Sequence, residues 1–429
     1  MGLLIPEFDM GLLIPQASDT IQELSVEELR AKVGTGMEIV DAEEHMLLSM
    51  GPQHPSTHGV LRLLVELDGE TVVNLAPDIG FLHTGIEKTM ENKRYVKALV
   101  ATDRMDYLTP MSNNLVYTMA VEKLLGVEVT PRAKTLRLIL AELSRLASHL
   151  VWLGTSALDL AAMSVFLYCF REREYILDIF EMVSGQRMMV SYIRPGGLWR
   201  DVPEEFVPAV RKLLDFMPAK IADYEALLTH NPIFEMRTQG VGTISSEDAI
   251  AWGLTGPSLR ASGVDWDLRR DQPYLDYASY DFKVPVETAG DVYARYLVRI
   301  QEMRECLRLI RQGLDRLKPG PVNIDDHKIV PPPRAELGQS MEAVIHHFKL
   351  WTEGFSAPEG FVYQAIESPR GEIGCYLRGN GTNKPARVHF RGPSFVNLAS
   401  LPLMSKNRFI ADVVAIIGSI DIVLGEIDR

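Results

Sequence analysis

Gly51-Pro52-Gln53-His54-Pro55-Ser56-Thr57-His58-Gly59 places two imidazoles, two prolines and two glycines in nine residues. Proline fixes φ and has no N–H to donate, glycine opens φ > 0, and Pro55 biases His54 away from the helical region. The stretch therefore predicts a stiff loop. Around it the pattern is extended: residues 44–50 before it, then an alternating run over 60–67, then Asp68-Gly69 and a second run over 70–76. Asp-Gly between two such runs is a strong hairpin signal. A small antiparallel meander is expected, with the loop of His54 and His58 joining its first two strands at the end opposite the Asp-Gly turn. Stiff loops at sheet ends are where proteins hold groups toward a ligand. Either histidine alone would ordinarily be structural. Metal binding by the His-x-x-x-His pair is disfavoured, because Pro55 breaks the helical spacing that would bring both rings to one face.

Composition narrows the field. The chain has 429 residues, 46% hydrophobic and 24% charged, enough for two or three globular domains with a sizeable core. A formal charge of −13 argues against a nucleic-acid partner. Cys169, Cys306 and Cys375 are too scattered for a disulfide framework or a metal motif, as in a reducing compartment. No basic n-region or cleavage site marks a signal peptide, and Pro6 argues against myristoylation. The apolar stretches 151–170 and 409–425 carry Asp159, Asp412 and Asp421, so both read as buried elements rather than membrane spans.

Further along, Met-Gly-Leu-Leu-Ile-Pro occurs at 1–6 and again at 10–15, too short a repeat to define an architecture. A short helix is expected over 27–32 and another over 86–99. From Pro131 to about Gly185 the pattern turns helical, with Leu136, Leu140, Leu143, Leu146, Leu150 and Leu153 on one stripe and a second block over 171–183. Further helices are expected within 201–228 and over 291–317, which suggests a central bundle. After a proline-rich connector at 319–333 come a short helix over 340–351 and a hairpin around Asn380-Gly381, then a last helix over 407–420. Six Lys or Arg and no acid fall between 373 and 411, consistent with a partner surface or a solvated face.

The nonapeptide, continued by Val60-Leu61-Arg62, closely resembles the start of a known family, the hydrogenase-like large subunit of NADH:quinone oxidoreductase, respiratory complex I. The resemblance continues through Phe81-Leu82-His83-Thr84-Gly85-Ile86-Glu87-Lys88 and Arg104-Met105-Asp106-Tyr107-Leu108. It runs on through 142–149, 192–197 and 259–264 to Gly425-Glu426-Ile427-Asp428-Arg429, covering about residue 45 to the C-terminus.

The resemblance implies an α+β, mainly α fold like that of nickel–iron hydrogenase large subunits. Its expected parts are a tail with a short helix (1–43), an N-terminal α/β portion with the site loop (44–115), a central helical bundle (116–318) and a C-terminal α/β portion packing back on the site (319–429). Hydrogenases hold their metal with paired cysteines near both ends. At the matching places this chain has Asp106 and Thr109, and Val423 and Glu426. Soft-metal binding needs thiolates, so no metal is expected and a membrane-bound hydrogenase-type reading is disfavoured.

A quinone, menaquinone or ubiquinone, is the implied substrate. The family assigns its head group to the residues matching His58 and Tyr107, which can donate hydrogen bonds and then protons to the reduced oxygens. It pairs Asp159 with a protonated His58; an ion pair with an arginine is the structural alternative. His54 belongs to the same loop, and Thr155 lines the same channel. Electrons are expected from a terminal [4Fe–4S] cluster in a neighbouring iron–sulfur small subunit, with Arg104 beside it. Where relatives often carry histidine, this chain has Met189, which predicts a lower and less pH-dependent cluster potential, suited to menaquinone. The implied partners are that small subunit, the other peripheral-arm subunits and a quinone-channel membrane subunit, with the chain peripheral on the cytoplasmic side of the cell inner membrane. A non-catalytic scaffold for the cluster subunit is the rival.

Overall fold

The computed structural model describes residues 45–429. The duplicated hexapeptide, the tail and the helix expected over 27–32 lie outside the described residues. Strands β1 (Met46–Met50), β2 (Arg62–Asp68) and β3 (Thr71–Asp78) form an antiparallel sheet in that order. The hairpin expected at Asp68-Gly69 forms with its turn one residue later, at Gly69 and Glu70, because Asp68 pairs with Thr71, and a register shift between Glu66 and Leu67 bends the second hairpin. The central strand is buried on both faces over Leu63–Leu67, so Glu66 lies inside and takes His45 at 3.0 Å. Burying that acid requires such a partner.

The single helix expected over 86–99 is two. Helix α1 (Ile86–Glu91) stops at Asn92, whose side chain turns back to the Lys88 carbonyl, and α2 (Tyr95–Thr102) starts again after Arg94. Next comes α3 (Pro110–Leu125), which the sequence reading did not foresee. It is buried on nearly all sides, so it carries no amphipathic stripe to betray it. It also runs unbroken through residues 115 and 116, so the division expected there falls inside a helix.

Four long helices follow: α4 (Pro131–Asp159), α5 (Met163–Ser184), α6 (Phe206–Leu228) and α7 (Val292–Arg316). Thr130 caps α4 by accepting the Ala133 N–H, and Asp291 caps α7 at Ala294. Each helix packs on the next and α7 returns to α4, closing a four-helix bundle. The expected leucine stripe of α4 is core, with Leu136, Leu140, Leu143, Leu146 and Leu150 at zero exposure. At Gly313 the α4–α7 crossing is so close that a Cβ would lie 2.7 Å from Ile139 Cγ1. The 151–170 stretch is not one span. It breaks at 160–162, with Ala161 at φ 69°, and its second half leaves Met163 and Leu167 exposed. No helix among the described residues is long and apolar enough to cross a membrane.

Strands β4 (Ile193–Arg194) and β5 (Gly197–Leu198) are a short pair within the loop after α5. After α8 (Met341–Thr352) another antiparallel sheet forms from β6 (Gly360–Ser368), β7 (Gly371–Gly379) and β8 (Arg387–Arg391). The basic stretch 373–411 is partly engaged within the chain, since exposed Arg387 pairs with Glu91 at 2.9 Å and half-buried Arg391 donates to the Glu372 carbonyl. The chain ends with α9 (Ile410–Ile420) and α10 (Leu424–Asp428). Ile416, Ile417 and Ile420 share a core with Leu63, Val65 and Val72, so the first sheet and the C-terminal segment pack as one layer beside the bundle. The architecture is mixed α/β and mainly helical, with small antiparallel sheets.

Candidate functional site

The nine-residue loop divides its two histidines between different tasks. His54 is extended (φ −149°, ψ 136°) and exposed, and its Nδ1 accepts the Ser56 N–H at 3.2 Å, capping the short turn Pro55–Thr57. His58 closes that turn in the left-handed region at φ 54°. Its Nδ1 lies 3.1 Å from the carbonyl of Ile422. A carbonyl can only accept, so Nδ1 carries the hydrogen and Nε2 keeps its lone pair in the neutral ring. Burial, helped by the charge of Arg370, holds His58 below the ordinary histidine range against the opposing effect of that hydrogen bond. In the chain by itself this favours the neutral ring over the protonated imidazole expected from the sequence.

Tyr107 stands in the turn between α2 and α3. Asp106 ties that turn together: its carboxylate accepts the Leu108 N–H at 3.1 Å and the Thr109 hydroxyl, and its carbonyl accepts Asn113 Nδ2 at 2.8 Å. Against it packs the chain at Gly425, where a Cβ would fall 2.5 Å from the Met105 carbonyl oxygen and 3.4 Å from Tyr107 Cδ1. Burial pushes the phenol above its ordinary range, opposed by Arg370 and reinforced by Asp106. The Tyr107 hydroxyl and His58 Nε2 make no hydrogen bond among the described residues.

Asp106 and Thr109 are thus brought against the 421–426 segment. Arg370 bridges them to it, binding Asp106 at 2.6 Å and Asp421 at 3.1 Å. Glu426 accepts the Ser394 N–H at 3.1 Å and its hydroxyl, and burial together with Asp106 raises its carboxyl above the usual range. Asp421 is raised to about 6, chiefly by burial. Among the described residues no group of three or more His, Cys, Asp or Glu is placed to hold a metal, and the three cysteines are buried and separate.

Asp159 ends α4. It is half-buried and has no hydrogen bond or ion pair among the described residues, so neither the His58 pair nor an arginine pair is made. Burial alone raises it to about 6. The reason is placement: Asp159 lies beside Gly418 within α9, where Trp152 and Ser156 both donate to the Gly418 carbonyl, at 2.8 and 3.1 Å. His58 is instead taken by Ile422 just past the end of the same helix. Asp159 borders a cavity of about 20 Å³, room for a single water, lined also by Trp152 and Tyr296. Thr155 is half-buried, with its hydroxyl turned back to the Val151 carbonyl of its own helix at 3.0 Å.

Arg104 is exposed and donates to the Val100 carbonyl at 3.1 Å. The loop carrying half-buried Met189 is fastened next to it, because Ser191 donates its N–H to Asp103 at 3.1 Å. Sequence reasoning missed Arg370 and the Ile422 carbonyl. A buried arginine in a hairpin turn, Ser368-Pro369-Arg370-Gly371, was the available signal for the first; a backbone oxygen has none.

Residues 159–429 match the family described as respiratory-chain NADH dehydrogenase, 49 Kd subunit. That match defines a subunit of a respiratory-chain oxidoreductase complex. The chain is 64% identical over 390 residues to an NADH-quinone oxidoreductase subunit of Roseiflexus sp. (strain RS-1), covering 90% of this chain and 94% of that one. It is 61% identical to the corresponding NADH-quinone oxidoreductase subunit of Herpetosiphon aurantiacus, over 91% and 93% of the two chains. It is 58% identical to that of Geotalea uraniireducens, over 90% and 99%. The chain belongs to this 49 Kd family of NADH-quinone oxidoreductase subunits.

Proposed function

We propose that this subunit holds the quinone head group between Tyr107 and His58 and hands it protons as it is reduced. The observation that carries this is the meeting of three distant segments: the Tyr107 turn, the His58 loop and the 421–426 segment lying against both. Tyr107 would donate the first hydrogen bond to a quinone carbonyl, since its raised phenol keeps its proton at neutral pH. Neutral His58 cannot donate from Nε2. It would take a proton there and then transfer it to the strongly basic reduced oxygen. Asp159, poised near pH 6 without a fixed partner, would serve as a nearby proton store rather than as a standing ion-pair partner.

In this reading the fold derives from a hydrogenase-like large subunit, with Asp106, Thr109, Val423 and Glu426 standing where such a protein places cysteines. The iron–sulfur small subunit would dock beside Arg104 and Met189, its terminal [4Fe–4S] cluster supplying the electrons. The other peripheral-arm subunits and a quinone-channel membrane subunit would complete the surroundings, on the cytoplasmic side of the cell inner membrane. The parts set out from the sequence, with the site shared between the N- and C-terminal portions, belong to the same proposal. The test is Tyr107→Phe and His58→Ala in the assembled complex. Quinone turnover should fall by roughly 10²-fold or more, as for loss of a positioned acid, while NADH oxidation by an artificial acceptor upstream is retained. A mere scaffold would keep its quinone turnover.

A further inference from the structure

The turn between β6 and β7 delivers Arg370 into the interior at zero exposure. Its guanidinium uses every edge. Nη1 donates to Asp106 Oδ2 at 2.6 Å and to Ser148 Oγ at 3.0 Å, Nε to the Asp421 carbonyl at 2.8 Å, and Nη2 to Asp421 Oδ1 at 3.1 Å. Asp106 is the residue before Tyr107 and is tied into the same turn. Asp421 is the residue before Ile422, whose carbonyl holds His58.

The arginine's own backbone cannot drift. A Cβ on Gly371 would lie 2.5 Å from Thr255 Oγ1, and one on Gly256 would lie 2.4 Å from Gly371 Cα, so the hairpin turn is wedged against residues 255–256. The Arg370 carbonyl is held from the other side by Asn397 Nδ2 at 3.3 Å. A rigid fork on a rigid turn thus fastens the support of the phenol to the support of the imidazole.

From this geometry we propose that Arg370 is a positioning residue that sets the gap between Tyr107 and His58, and with it the fit of a two-carbonyl ring between them. The proposal rests on the quinone reading above. A planar fork reaches two acceptors in fixed directions, whereas an ammonium is a single point charge on a flexible stem. Arg370→Lys keeps the charge but cannot hold both aspartates in that geometry.

The experiment uses the assembled complex and a short-chain quinone analogue. Arg370→Lys should raise the KM for the quinone about tenfold or more, because a small misplacement of binding groups is costly, and leave NADH oxidation by an artificial acceptor unchanged. Unchanged KM and kcat for quinone in assembled Arg370→Lys, while Tyr107→Phe slows quinone reduction, would overturn the clamp and leave the quinone site standing. Should Arg370→Lys not assemble, Asp106→Asn and Asp421→Asn each weaken one arm while keeping an oxygen acceptor. A raised quinone KM in each supports the clamp, and parental KM in both overturns it. Normal quinone turnover in Tyr107→Phe and His58→Ala would remove the site and the clamp together.

Discussion

The Nδ1 of His58 lies 3.1 Å from the Ile422 carbonyl oxygen, and this contact decides which ring nitrogen carries the hydrogen. With Nδ1–H committed, only Nε2 is left to exchange protons. Burial holds the ring below its ordinary value of 6.5, so it is mostly neutral at pH 7 and gains its proton as the pH falls below that value. Quinone reduction at limiting quinone should therefore rise as pH is lowered from about 8 toward 6. His58→Gln should flatten that part of the profile. A pH–rate series in which the two coincide would count against a role for the ring.

Asp159 makes the opposite kind of statement, one about stability. Its folded value of about 6 stands above the unfolded 3.8, so the folded chain binds this proton more tightly. Stability from this group is intact below the unfolded value and declines as pH rises through the folded one. Asp159→Asn removes the loss. The variant should match the parent in thermal unfolding near pH 4 and exceed it near pH 8; an equal difference at both would show that folding does not raise this carboxyl.

Gly51 and Gly59 share φ +87° but not their surroundings. A Cβ at Gly51 would sit 2.2 Å from the Leu61 carbonyl oxygen, whereas one at Gly59 meets nothing within 4 Å. Gly59→Ala should cost only the left-handed backbone, about 1–2 kcal/mol. Gly51→Ala should cost more and displace the His58 turn, lowering quinone turnover as well. Chemical denaturation of the two variants side by side gives the comparison.

Met189 cannot take up a proton, and its loop is fastened beside Arg104 through Ser191 and Asp103. Met189→His in the assembled complex should give the terminal cluster a pH-dependent potential, approaching about 59 mV per pH unit for one proton per electron. Potentiometric titration at two pH values reads this directly. A parental chain that already has the full slope would show that another group supplies the proton.

How much of this was legible beforehand follows from which interactions are local. Pro55 restricts its own backbone and that of His54, and the flanking glycines admit φ > 0, so the loop and the meander could be read. The α4 leucines repeat on one face, so the long helix could be read too, although Ala161 turns the chain where apolar composition continues. α3 was invisible because burial all round erases the period. β6 was missed because its exposed positions Phe361 and Tyr363 are aromatic, so no polar residue alternates with its inner face. His58 and Tyr107 were singled out by motif, but not what holds them. One support is a main-chain oxygen, and the other is a guanidinium 264 positions from the acid it binds.

That span has a consequence for biogenesis. His58 meets its anchor 364 positions away, and the clamp joins strands and turns from both halves of the chain. Contacts so distant are made late, after the costly closure of long loops. A fragment that stops short of Ile422 would accordingly lack the carbonyl that anchors His58, and its loop would present that ring unfixed.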